Sequence, residues 1–297
     1  MSLFVQVVVN GILIGAIYSL IALGYSIIFS TMRMGHFAQG DFFMFGAFVG
    51  YQFLVKWEQN LLIAFVMAII GTSVLMLIAE RLTYRPMYSR PGIGLMISTM
   101  GMQYIVQWAA KLIWGTEPKK MPPLFGTEDV IYEVKMFGGE VRINNNDVMI
   151  FLICIGLMLA LAIFMKYTKI GMAMSAVSMN RKAAQLMGIK LTTIISSTFI
   201  MAAAMAAVSG MLLTPHYSVV FNVAIGPGAR AMTSAVLGGF GSMPGAMLGG
   251  ILMGIIEMLG SFYVTTTYRD AFTFVVLIAV LFWRPQGILG RRSITKV

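Results

Sequence analysis

Leu61-Leu-Ile-Ala-Phe-Val-Met-Ala-Ile-Ile-Gly-Thr-Ser-Val-Leu-Met-Leu-Ile-Ala-Glu80 runs for 19 residues before it meets a charge. An α-helix of about 20 apolar residues is what a hydrocarbon layer about 30 Å thick requires. Only Gly71, Thr72 and Ser73 interrupt the apolar run. The stretch therefore reads as a membrane-spanning helix. The rest of the chain repeats it, with apolar runs at 5–30, 37–55, 93–114, 148–165, 191–213, 226–241, 245–263 and 271–284.

Composition agrees. Of the 297 residues, 59% are hydrophobic and 11% charged, where a soluble domain carries about 25% charge. A soluble surface cannot hide that much apolar area, whereas a bilayer can face it. The sequence thus describes an all-α integral membrane protein of about eight membrane-spanning helices, or nine elements. The segment 226–241 is short and Gly-rich enough to be a broken helix. The first run lacks a basic leader and continues to Met32, too long for a signal peptide, so it reads as the first span.

Charge sets the orientation. Basic residues outnumber acids in 80–91 (Arg81, Arg85 and Arg90 against Glu80), in 166–190 (Lys166, Lys169, Arg181, Lys182, Lys190) and in the tail (Arg284, Arg291, Arg292, Lys296). The positive-inside rule places these in the cytoplasm. Segment 115–147 is net acidic, with Glu117, Glu128, Asp129, Glu133, Glu140 and Asp147, so it is expected outside. Its Gly138-Gly139 and Asn144-Asn145-Asn146 are turn formers that suggest a small hairpin. The net charge of +10 is explained by the same rule. No basic stripe interleaved with aromatics suggests a nucleic-acid partner.

Three stretches carry candidate function. In Gly35-His-Phe-Ala-Gln-Gly-Asp41, the polar His36, Gln39 and Asp41 stand at the entrance of an apolar span, with Gly40 permitting close backbone approach. Such groups line a translocation path or its gate, and Asp41 equally suits the positive end of a helix. In 178–190, Ala184 and Gly188 lie four apart, on one face of a short helix beside Arg181, Lys182 and Ala183. That face suits a docking partner, Gly188 suits a left-handed helix end, and an ordinary basic loop is the plainer reading. The third stretch is a glycine-dense hairpin that contains Gly226, Gly228, Gly239 and Gly241, with small-xxx-small spacings such as Gly245 to Gly249 and Gly250 to Gly254. Broken helices rich in small residues also line paths. Arg230 and Glu257 are the strong charges there and could pair.

Other chemistries are absent from the sequence. It has no G-x-x-x-x-G-K-[ST] for nucleotide phosphates and no H-E-x-x-H for a metal. The two histidines, His36 and His216, are far apart, and Cys154 is alone in an apolar run. No catalytic residue, cofactor or metal site is expected in this chain. An ion-coupled transporter would need a relay of intramembrane carboxylates, and only Asp41 and Glu257 stand out.

Together these stretches resemble the permeases of ATP-binding-cassette importers for branched-chain amino acids, the Liv-type H subunits in particular. The resemblance rests on Phe37-Ala38-x-Gly40-Asp41-x-x-Met44-x-Gly46-Ala47, on Glu80-Arg81-x-x-Tyr84-Arg85-Pro86 and on Ser98-Thr99-Met100-Gly101. It continues through Gly238-Gly239-x-Gly241-Ser242-x-x-Gly245-Ala246 and the closing Arg284-Pro285-x-Gly287. It implies one permease domain over 1–297 in a bacterial inner membrane, paired with a second permease, identical or not. It further implies two cytoplasmic ATPases that bind ATP and an extracytoplasmic solute-binding protein. Residues 178–190 then resemble the coupling loop, with Lys182 where the family pattern has an acid. His36 and Gln39 stand where members often have Asn and His. The same architecture for urea, amides or other small solutes is the alternative within transporters.

Overall fold

Small and large side chains fall on opposite faces of the third apolar run, and this decides which face turns inward. In the Leu61–Ala79 helix, Ala64, Ala68, Thr72 and Met76 are buried while Leu62, Val66, Ile70, Val74 and Ile78 face outward. Both sets recur every four residues, close to one helical turn. The bulky residues lie on the outside because lipid is as apolar as they are, and the small ones allow helices to approach. The structure, a computed structural model, describes residues 2–88, 92–126, 131–136, 139–264 and 269–290. Arg90, Glu128, Asp129, Gly138, Arg291, Arg292 and Lys296 lie outside the described residues.

All nine apolar runs form helices. They are α1 (Ser2–Met32), α2 (Gln39–Tyr51), α3 (Leu61–Ala79), α4 (Gly92–Trp114), α5 (Asn145–Tyr167), α8 (Leu191–Leu213), α9 (Ile225–Gly238), α10 (Met243–Tyr263) and α11 (Arg269–Trp283). Two further helices, α6 (Lys169–Met179) and α7 (Arg181–Leu186), fill the basic loop. Among the described residues, five helices are long and apolar enough to cross a membrane: α1, α3, α5, α8 and α10. α4 has the length but carries Gln103, Gln107 and Lys111. α9, at 14 residues, is half-length, while the 13 residues of α2 run on without a break into a π-helical turn, Gln52–Lys56, for 18 residues in all. At about 20 Å, α9 does not bridge a layer of about 30 Å.

α1 is the central post, with 78% of its apolar window buried against 22% for α3 and for α5. It packs antiparallel to α10 with backbone nearly touching backbone. A Cβ on Gly11 or on Gly15 would lie 2.8 Å from the Cα of Ile255 or of Ile251. Ser19 Oγ crosses the same seam to the Met247 carbonyl at 2.7 Å. α8 covers α1, α2 and α3, burying Phe199, Ala202, Ala203 and Ala206. Cys154 is buried in α5 with Ile150 and Met158, as a small apolar core residue.

The two ends of the bundle differ. At one end, β1 (Ile131–Met136) and β2 (Gly139–Asn144) form the expected antiparallel hairpin. Gln6 of α1 clasps Arg142 through both of its backbone groups, at 2.8 and 2.7 Å. The asparagine run starts α5: Asn144 accepts from the Asn146 N–H, and Asn146 Oδ1 accepts from the N–H groups of Leu124 and Phe125. At the other end lie the C-terminus of α1, the helices α6 and α7, the start of α8 and the α9–α10 turn.

Candidate translocation path and coupling element

The chain folds back into the bundle from both ends. After α1 stops at Met32, residues 33–38 turn inward, and α2 starts beside the middle of α8. Gln39 Nε2 donates to the carbonyl of Ala202, the central residue of α8, at 2.9 Å. After α8, residues 214–224 turn inward from the opposite end, where Val219 pairs with Lys119. α9 then starts where α2 starts. A Cβ on Gly40 would sit 3.2 Å from the Gly228 Cα, and the reverse holds equally. Two helices therefore meet N-terminus to N-terminus at the same depth and leave toward opposite ends.

Each helix start carries partial positive charge. Asp41, in the first turn of α2, supplies negative charge there and accepts from Gln107 Nε2 at 2.7 Å. The Tyr25 hydroxyl reaches the Gly40 backbone and lies close to Gly228. Asp41 thus stands at a helix start and beside the crossing. Just before α2, His36 is buried against the rings of Tyr84, Phe199 and Phe42, at centroid distances of 5.2, 5.6 and 6.0 Å. Neither of its nitrogens has a hydrogen-bond partner, nor do Gln39 Oε1 and the Tyr84 hydroxyl. The turn is closely packed and its backbone is bonded, with the Phe37 N–H donating to Thr99 Oγ1 at 3.2 Å, while its imidazole makes no hydrogen bond.

Of the path residues expected from sequence, His36, Gln39, Gly40, Asp41 and Gly228 come together, with Gly226 two residues before the crossing. Gly239 and Gly241 do not. They lie at the far end of α9, with φ of +104° and +83°. Gly239 packs on the backbone of Gly287 and Gly290, and the Gly241 N–H donates to Ser26 Oγ at 3.0 Å. They form a turn at one end of the bundle, because α9 runs its whole length between them and Gly228. Arg230 and Glu257 do pair, Nε to Oε1 at 3.1 Å, and the pair ties α9 to α10 in the buried interior.

The coupling segment folds as two helices. Thr168 caps α6, and Asn180 caps α7 by accepting from the Ala183 N–H. Gly188, with φ +83°, closes α7 in a double bond pattern: the Ile189 N–H donates to Ala184 and the Gly188 N–H to Gln185. Ala184 corrects the expectation for this helix. It is 4% exposed, packed with Met174, Val177 and Ile194, so its small side chain seats α7 on α6 and α8 and offers nothing to a partner. The outward groups are Leu186 and Met187, at 89% and 83% exposure, with Lys182 and Ala183. Arg181 is half-buried and donates to the Thr31 carbonyl at the end of α1. Burial and the neighbouring Arg33 charge pull its pKa below the usual value. Beside it, Tyr88 donates to Glu80 Oε1 at 2.7 Å. Burial and that carboxylate push the phenol well above its ordinary range.

The family model described as the permease component of branched-chain amino acid transport systems matches residues 7–281. The chain belongs to this family. It is 38% identical to the LivH permease protein of the high-affinity branched-chain amino acid transport system of Escherichia coli, covering 99% of this chain and 98% of that one. It is 36% identical to BraD of Pseudomonas aeruginosa over the same shares. It is 26% identical to a probable LivH of Methanocaldococcus jannaschii over 91% of this chain and 88% of the other. Among solved structures, a chain of PsaBC from Streptococcus pneumoniae in complex with Fab superposes with a TM-score of 0.51 at 10% identity, covering 93% of this chain and 91% of that chain. That likeness is one of fold. A permease of this family is a multi-pass inner-membrane subunit of a transporter, and no enzyme chemistry is asked of it.

Proposed function

We propose that this chain forms one side of a path for branched-chain amino acids in an ATP-driven importer. The observation that supports it best is the meeting of α2 and α9 at Gly40 and Gly228. Two discontinuous helices that start at the same depth leave a short barrier, and small movements of either helix open or close it. A second permease completes the path, because one side of a pore cannot enclose a solute.

The basic end of the bundle is the cytoplasmic one in this reading, with the C-terminus inside and the β1–β2 hairpin outside. Two ATPases dock there, and α7 meets one of them through Leu186 and Met187, flanked by Lys182. Exposed apolar side chains beside a cation, beyond the membrane-facing surface, are costly unless a partner covers them. A solute-binding protein delivers the amino acid at the hairpin end. ATP stays on the partners and needs no site in this chain.

The test is reconstitution of this chain with a second permease, the ATPases and the binding protein in liposomes. ATP-dependent uptake of labelled leucine, isoleucine or valine is expected. Uptake without ATP but dependent on a proton gradient would overturn the reading. Competition by urea or an amide, with no amino-acid uptake, would keep the path and replace the substrate.

A further inference from the structure

Two arginines link the proposed coupling element to the gate, and no motif announced them together. Arg181 opens α7 and donates to the Thr31 carbonyl through Nε at 3.0 Å and also through Nη2. Arg33 follows α1 and donates through Nη2 to the Ser178 carbonyl in the last turn of α6, at 2.7 Å. The last carbonyls of a helix have no partner within it and carry partial negative charge. Neither α1 nor α6 has a basic residue in its own last turn. Each arginine therefore caps the helix across from it, and the two bonds run in opposite directions. Arg33 holds φ +56°, a left-handed conformation uncommon outside glycine.

We propose that Arg181 and Arg33 form a crossed latch that carries the movement of α7 to the start of α2. Arg33 and Gln39 are joined by a short turn, residues 34–38, which holds the unpartnered His36 nitrogens. A shift of α7 pulls on Thr31 through Arg181, and a shift of α6 pulls on Arg33. Either re-aims the turn and, through it, the Gly40–Gly228 contact. Thr31 Oγ1 also lies 3.3 Å from Thr198 Oγ1 of α8, so α8 serves as the fixed reference. Neither arginine is placed on the exposed Leu186–Met187 surface, so latch and docking surface are separate. The latch rests on the reading of α7 as the docking helix.

The experiment compares Arg181→Ala, Arg181→Lys and Arg33→Ala in the whole reconstituted complex, reading ATPase co-purification, ATP hydrolysis and uptake. Arg181→Ala is expected to keep the ATPases bound and hydrolysing while uptake per ATP falls by about tenfold. Arg181→Lys recovers part of it, since an ammonium reaches one carbonyl without the fork. Arg33→Ala, at an exposed residue, gives a smaller loss in the same direction and covers the case in which Arg181→Ala fails to fold. Unchanged uptake per ATP in both alanine variants overturns the latch. So does a loss of hydrolysis and co-purification in step with uptake. Leu186→Asp separates the two readings: if the ATPases stay bound in that variant, the docking assignment fails whatever the latch does.

Discussion

The seam between α1 and α10 and the turn between α1 and α2 share a helix and are built on opposite terms. The seam holds backbone against backbone through Gly11, Gly15, Gly250 and Gly254, with Ser19 bonded across it and the Arg230–Glu257 pair close by. Nothing in it can shift without a clash. The turn is packed as tightly by rings, but several of its polar atoms lack partners. The comparison assigns rigidity to the seam and movement to the turn.

Substitutions should separate the two. The largest effect is expected from Glu257→Ala, which removes the carboxylate from a buried guanidinium of α9 and costs about 3–5 kcal/mol. Thermal unfolding in detergent would show it, and an unchanged midpoint would remove the pair from the scaffold. Gly15→Leu forces side-chain atoms into the α10 backbone and costs about 1–3 kcal/mol. Loss of folded protein in the membrane fraction is the readout. In the turn the signs differ. His36→Phe replaces two unbonded nitrogens by ring carbons in an aromatic box and should raise stability by about 1 kcal/mol, while lowering uptake if the turn must rearrange. A drop in stability would mean that those nitrogens have a role in the folded state. Asp41→Asn keeps an acceptor for Gln107 but removes the charge from the helix start, costing about 0.5–1 kcal/mol. Its uptake should fall further than its stability; equal, small changes would make Asp41 a simple helix-end residue.

Much of the fold was legible along the chain. Nine apolar runs became nine helices because burying a backbone in lipid demands internal hydrogen bonds, which only a helix supplies locally. The hairpin followed from its glycines and asparagines, and the α7 end followed from Gly188. α6 was missed, since a basic loop hides the Thr168 cap and the inward Met174 and Val177. Ala184 was read as a docking face because four-residue spacing names a face without naming what covers it. Gly239 and Gly241 were grouped with Gly226 and Gly228 by composition, although α9 separates them. Gln107 as the partner of Asp41, and Gln6 as the clasp on Arg142, carried no local signal. The Tyr84 motif residue could have been tied to His36 only through the packing of α3 against α8.

Hydrophobic period, helix caps and the balance of basic residues are local quantities, so the sequence by itself determined a polytopic helical membrane protein, its family and the segments at its two ends. Which helix starts meet, which small residues face a neighbour, and which arginine caps which helix are pairings between residues tens to hundreds of positions apart. Those depend on how the helices pack, and only the tertiary structure decided them.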